Sequence, residues 1–251
     1  MSSTLIILII LFFFTAVIGV VTGSNSLITV PVMFQFGIDE KVAVATNMFG
    51  LTFMSVGGTI PFVRKGLIDY RKVSPLIVIT IAASALGAML VGYITNQGVK
   101  LIVSVAMIIV AVFTVFKRDS GITESRSVSQ KLVITTFIAT FLLGIYGGLY
   151  SGGYVTILTP VLVAFFGMTF TESIASTKLI NVFSSTIASI VFAFQGLIDY
   201  KLGIILGVTM FVGAYFGAHY ATKLNEVWLK RIFLAVVFLL ALKLIADLLF
   251  R

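Results

Sequence analysis

The sequence predicts an all-α integral membrane protein: about eight hydrophobic helical segments in two homologous four-segment repeats, with the first long segment of each repeat broken or re-entrant. Three observations lead there. Hydrophobic residues make up 59% of the 251 and charged residues 10%, with mean hydropathy +1.17, whereas soluble domains run nearer half and a quarter. Apolar stretches long enough to cross a bilayer, which takes about 20 residues, recur between short polar breaks. The second half of the chain repeats the first.

The apolar segments run over Leu5–Ile38, Val42–Val63, Pro75–Thr95, Val99–Phe116, Leu132–Met168, Ile174–Phe194, Leu202–Thr222 and Ile232–Phe250. None alternates strictly between apolar and polar residues as a barrel strand does, so helices are left as the way to satisfy the backbone in lipid. Met1-Ser-Ser-Thr4 carries no Lys or Arg. The run after it is longer than a signal h-region and lacks a clear cleavage site, so it is expected to be retained. Leu5–Ile38 and Leu132–Met168 are too long for one crossing unless they tilt, break or fold back. Both are interrupted by small residues, at Thr22-Gly-Ser-Asn-Ser26 and at Tyr146-Gly-Gly-Leu-Tyr-Ser-Gly-Gly-Tyr154, where a break or hairpin is expected.

Gly66-Leu-Ile-Asp-Tyr70 recurs without a mismatch as Gly196-Leu-Ile-Asp-Tyr200, an offset of 130, which also pairs Gly37 with Gly167, Ser55 with Ser185 and Gly87-Ala88 with Gly217-Ala218. Upstream, Gly19, Gly23 and Pro31 match Gly148, Gly152 and Pro160 at 129, which places a one-residue insertion between Pro160 and Gly167. The division is therefore repeat 1 over 1–116, a polar cytoplasmic linker over 117–131, and repeat 2 over 132–251. Whether the repeats are parallel or inverted depends on an even or odd number of crossings per half, and the sequence leaves that open.

The chain contains no cysteine, which excludes disulfides, thiolate metal sites and cysteine nucleophiles. Its net charge of +8 comes from Lys and Arg spread through the breaks, so nucleic-acid binding has no support. Arg64, Lys65, Arg71 and Lys72 share one loop, and Lys117, Arg118, Arg126 and Lys131 another two crossings on; both loops are expected to face the cytoplasm.

Paired, interrupted membrane segments point to a secondary transporter whose site forms where the broken helices meet. Ser24, Asn25 and Ser26 in one half, and Ser151, Gly152 and Gly153 in the other, offer donors for a small oxyanion at helix starts. Close packing of small residues would also account for the glycines. A second polar cluster follows each break, Ala45-Thr-Asn47 and Ala175-Ser-Thr-Lys178. Lys178 either neutralises an anion or snorkels to the interface. Asp39 and Thr171 read as N-caps, and Glu40 and Glu172 complement the helix dipoles. Asp69 and Asp199 read as caps of the following helices, and His219, the only histidine, as a packed and hydrogen-bonded residue. Two alternatives stand beside the transporter: an intramembrane serine hydrolase using Ser151 and His219, and an anion channel.

The repeated glycine break followed by proline, then Ala-x-(Ser/Thr)-(Asn/Thr/Lys), the Gly-Leu-Ile-Asp-Tyr loop and Gly-Ala together resemble the TauE/SafE family of sulfite exporters, the toluenesulfonate uptake permease group. The resemblance spans essentially the whole chain. It implies a cell-membrane carrier of small sulfur-containing anions such as sulfite or sulfoacetate, coupled to protons, without cofactor, metal or enzymatic activity. Its partners would be the anion and the lipid bilayer, with self-association left open. The implied substrate site is Gly23, Ser24, Asn25, Thr46 and Asn47 facing Gly152, Gly153, Ser176, Thr177 and Lys178, with Tyr150 and Asn181 as neighbours. Where members of the family carry adjacent glycines in each break, the first break here reads Gly23-Ser24-Asn25.

Overall fold

The computed structural model describes residues 3–23, 25–116 and 129–225, with 227–229, 231, 232 and 235 beyond them. Most of the expected linker, and the eighth apolar segment Ile232–Phe250 apart from Ile232 and Ala235, lie outside the described residues. Nine α-helices are found among the described residues: α1 (Ser3–Thr22), α2 (Asn25–Gln35), α3 (Glu40–Arg64), α4 (Tyr70–Tyr93), α5 (Asn96–Phe116), α6 (Gln130–Leu149), α7 (Tyr154–Phe166), α8 (Phe170–Phe194) and α9 (Tyr200–Ala221). Six of them, α1, α3, α4, α6, α8 and α9, are long and apolar enough to cross a membrane. Their outer faces carry exposed apolar side chains such as Phe14, Val78, Leu142 and Ile204, the surface a lipid solvent calls for.

Local chemistry sets the helix ends. Asp39 caps α3 by accepting from the amides of Lys41 at 3.0 Å and Val42 at 3.2 Å. Asp69 and Asp199 cap α4 and α9 in the same way. The cap of α8 is Thr169, not Thr171: Thr169 Oγ1 accepts from the Glu172 amide at 3.2 Å, and the Glu172 carboxylate accepts from the Thr169 amide at 2.9 Å. That reciprocal pair satisfies two orphan amides at once, which fixes the start of the helix two residues early.

Each expected break is a reversal of direction. At 11 and 13 residues, α2 and α7 are about 16 and 20 Å long, too short to cross a 30 Å hydrocarbon core. Helix α1 runs parallel to α9, with Gly213 against Phe13 and Ala16 and Gly217 against Val17. Helix α2 then returns to the turn that starts α3, so α1 and α2 form a hairpin entering and leaving at one end of the bundle. The α6–α7 hairpin does the same from the opposite end, α6 running parallel to α4 through Gly144 on Thr80 and Ala83 and Gly148 on Ser84.

Hydrogen bonds identify the two ends. At the first, Lys41 Nζ donates to the Gly92 carbonyl at 3.2 Å, Gln195 Nε2 to the Ala88 carbonyl at 3.3 Å, and the Asp199 amide to Thr46 Oγ1 at 3.0 Å. At the second, Arg64 Nη1 donates to the Tyr215 hydroxyl at 3.2 Å. Hence α3 and α9 are parallel, α4 and α9 are antiparallel, and the two Gly-Leu-Ile-Asp-Tyr turns lie at opposite ends.

The left-handed glycines pair off at a single offset: Gly23 (φ +69°) with Gly153 (φ +82°), Gly37 with Gly167, and Gly66 with Gly196. The 130-residue offset thus also relates the left-handed glycines of the two breaks, and the second break is the longer: four residues separate α6 from α7, against two between α1 and α2.

Because the chain lacks cysteine, single exposed cysteines report the topology directly. Lys65→Cys and Lys201→Cys are expected to react with a membrane-impermeant maleimide from opposite faces of oriented vesicles. Labelling of both from one face would contradict the antiparallel arrangement.

Candidate functional site

The two hairpin tips meet inside the bundle. Gly23 closes α1, its amide donating to the Gly19 carbonyl at 2.8 Å, and it lies so close to α7 that a Cβ there would sit 2.6 Å from Val155 Cβ and 2.8 Å from the Thr156 amide nitrogen. A side chain is thus excluded at Gly23 by both its positive φ and its neighbours.

Three side chains of the second half fasten the first tip by donating to its backbone. Thr156 Oγ1 donates to the Thr22 carbonyl at 2.8 Å, the Tyr150 hydroxyl to the Ser26 carbonyl at 2.9 Å, and Lys178 Nζ to the Gly19 carbonyl at 2.9 Å. Their targets belong to the last turn of α1 and the first of α2; the Thr22 carbonyl is one of the helix-end carbonyls without an intrahelical partner, and the Gly19 carbonyl accepts from Lys178 in addition to the Gly23 amide. At roughly 1 kcal/mol net for each bond, the trio is a substantial share of marginal stability.

Lys178 does not snorkel. It is 2% exposed, and among the described residues its hydrogen bond is to the Gly19 carbonyl, with no carboxylate paired to it. One turn along α8, Asn181 Nδ2 donates to Ser55 Oγ at 2.7 Å. Asn25, in the first turn of α2, is 3% exposed, and neither its Oδ1 nor its Nδ2 has a partner among the described residues. Gly19 touches both groups: its carbonyl accepts from Lys178, and a Cβ on it would approach Asn25 Cβ to 3.0 Å.

Other expected site residues do different work. Asn47 Nδ2 donates to Ser26 Oγ at 2.9 Å, and its Oδ1 accepts from Thr29 Oγ1 at 2.8 Å, tying α2 to α3. The positions 130 residues on, Thr159 and Thr177, join α7 to α8 with hydroxyls 3.4 Å apart. Thr46 accepts from the Asp199 amide at the α3–α9 contact, away from the tips. Ser176, its counterpart, is buried without a partner. Gly152 and Gly153 form the second tip, which aromatic rings enclose: the Tyr146 hydroxyl donates to the Gly152 carbonyl, and the Tyr154 ring covers Gly147. Ser24 lies outside the described residues. His219 is exposed at the end of α9, its ring edge-on to Tyr220 rather than packed inside, and no hydrogen bond joins it to Ser151. The side chains of Thr156, Ser55 and Thr29 are additions from the structure. In the sequence they are ordinary hydroxyls in apolar runs, and only the offset linking Thr29 to Thr159 and Ser55 to Ser185 marks them.

Comparison with known proteins agrees with this architecture. The family model of sulfite exporter TauE/SafE matches residues 8–244, and the chain belongs to that family. A probable membrane transporter protein ORF9 of Sinorhizobium sp is 28% identical over 239 residues, covering 94% of this chain and 90% of the relative. The probable membrane transporter proteins YfcA of Escherichia coli K12 and YdhB of Bacillus subtilis are 23% and 25% identical, with 95% and 90% of this chain and 89% and 94% of theirs covered. No solved structure matches. The chain is therefore a multi-pass membrane transporter of the TauE/SafE type, not an enzyme.

Two glycines with the same backbone but different surroundings test the tip contact. Gly37 has φ +76° with nothing within 4 Å of a built Cβ, so Gly37→Ala is expected to cost only the left-handed penalty, about 1–2 kcal/mol. Gly23→Ala adds displacement of α7 and is expected to cost roughly 3 kcal/mol or more, read as a larger loss of melting temperature in detergent.

Proposed function

We propose that this chain is a secondary transporter of small sulfur-containing anions, sulfite or organosulfonates, across the cytoplasmic membrane, coupled to protons, and that the anion binds where the hairpin tips meet. The observation that carries this reading is Lys178, a lysine buried within a membrane-spanning helix that donates to a backbone carbonyl beside the unpartnered amide of Asn25. An ionisable side chain in that setting is costly and is found where function requires it. The start of α2 adds backbone amides and the positive end of a helix dipole, which favour an anion by about 0.3–1 kcal/mol or more when sheltered from water. Asn181, Tyr150 and the Gly152-Gly153 turn complete the surroundings. Asn47 and Thr177 act as supports that hold the half-helices against α3 and α8, whereas Thr46 joins α3 to α9 and Ser176 has no partner among the described residues.

On this reading the chain is two inverted membrane repeats, 1–116 and 132–251, joined by the linker 117–131, with Arg64, Lys65, Arg71 and Lys72 on the cytoplasmic side. Each half contributes one hairpin. Rocking of one hairpin against the other exposes the tips to one end of the bundle and then the other, the general behaviour of inverted-repeat carriers. The hydrolase alternative has no support from the geometry, since Ser151 and His219 share no contact that a proton could use.

Thermal unfolding of the purified protein in the presence of sulfite, thiosulfate, sulfoacetate, taurine, sulfate or chloride tests the proposal. At least one sulfur-containing anion is expected to raise the melting temperature of the wild type and to have no effect on Lys178→Met, because a ligand stabilises only the state that binds it. An unchanged melting temperature with every anion, or equal shifts in the two proteins, would overturn it.

A further inference from the structure

Lys178 has three N–H donors and directs one at the Gly19 carbonyl. It is the one buried Lys or Arg among the described residues. Beside it, Asn25 has both a donor and an acceptor open, so exchanging the amide oxygen and nitrogen leaves the same inventory. The unsatisfied groups around Gly19 are thus one cation, one neutral donor and one acceptor.

A ligand that only accepts hydrogen bonds leaves the acceptor of that inventory unfilled. Sulfate or chloride would satisfy Lys178 and Asn25 Nδ2 and would leave the lone pairs of Asn25 Oδ1 facing a negative charge in a site closed to water. A single buried cation also matches one negative charge better than two. We propose that the Lys178–Asn25 cluster selects a small, singly charged oxyanion that carries its own hydrogen-bond donor, its anionic oxygens on Lys178 and Asn25 Nδ2 and its donor on Asn25 Oδ1. This rests on the anion-carrier reading above and narrows its substrate class. The donor can sit on the anionic head, as the hydroxyl of hydrogensulfite, or on a short chain, as in a hydroxyalkyl- or aminoalkylsulfonate.

The asymmetry of the two tips follows from the same chemistry. At the second tip the position matching Asn25 is Val155, and that matching Lys178 in the first half is Met48. The second tip is closed by Tyr146 and Tyr150, whose hydroxyls donate to the Gly152 and Ser26 carbonyls. Recognition belongs to the first tip, and the second packs over it.

The test compares matched ligands on the full-length protein in detergent. Isethionate and ethanesulfonate share a sulfonate and a two-carbon chain and differ by one hydroxyl; hydrogensulfite and sulfate at mildly acidic pH form the second pair. The donor-bearing member of at least one pair is expected to bind about tenfold tighter or more, the size of effect that follows from leaving a buried acceptor unpaired. Preference in the first pair places the donor on the chain, and preference in the second places it on the head. Asn25→Leu is expected to bring the ratio to about one, while Lys178→Met weakens both members together. Asn25→Thr, which retains a hydroxyl, is expected to keep an intermediate ratio and serves if the leucine variant does not fold. Ratios near one in both pairs for the wild type, with binding still lost in Lys178→Met, would overturn the donor requirement and leave the carrier reading standing. The same holds for a wild-type ratio that survives Asn25→Leu. Failure of every anion to bind would remove the carrier reading itself.

Discussion

Backbone amides and carbonyls cannot be left bare at membrane depth, and the fold is arranged around the two places where the helical ladder stops. Each break holds a left-handed glycine, Gly23 at the end of α1 and Gly153 at the start of α7, and each leaves terminal groups to be satisfied. The solution is mutual. The second half sends Thr156, Tyr150 and Lys178 to carbonyls of the first, and α7 packs onto Gly23 with no room for a side chain. Small residues elsewhere bring the helices close enough for this meeting: Gly213 and Gly217 seat α1 on α9, and Gly144 and Gly148 seat α6 on α4.

Much of this was legible in the sequence because its cues were local. Uninterrupted apolar runs marked the helices, the runs too long for one crossing marked the hairpins, and an exact five-residue recurrence marked the repeat. Caps followed from single side chains, with the exception of α8, where Thr169 and Glu172 form a reciprocal pair that outcompetes Thr171. Spacing pairs Gly23 with Gly152 and Pro31 with Pro160 but cannot tell which glycine holds the positive φ, and in the second break that is Gly153.

The candidate site was legible as a region but not as a set of directions. A helix carries side chains around its whole circumference, so Thr46 and Asn47, adjacent in sequence, diverge: one reaches the Asp199 amide of α9 and the other braces α2. Lys178 could have reached the interface on the strength of its stem alone. That it instead points to Gly19 is a property of the packed bundle, as is the approach of Lys178 and Asn25 to the same glycine from helices far apart in the chain. The orientation of the repeats was hidden for the same reason, since inversion is a relation between distant segments. It emerges only from contacts such as Arg64 with Tyr215 and Gln195 with the end of α4.

On the proposed reading, the contact that a transport cycle makes and breaks is the junction of the tips. The most direct measurement is oxidative cross-linking of a Thr22→Cys, Thr156→Cys double variant, which the cysteine-free sequence makes free of background. Thr156 Oγ1 lies 2.8 Å from the Thr22 carbonyl, so a disulfide is expected to form within one molecule and to arrest transport until it is reduced. If the two cysteines fail to cross-link, or transport continues with the bridge intact, then the tips do not interlock as described and the site between them is not the point of passage.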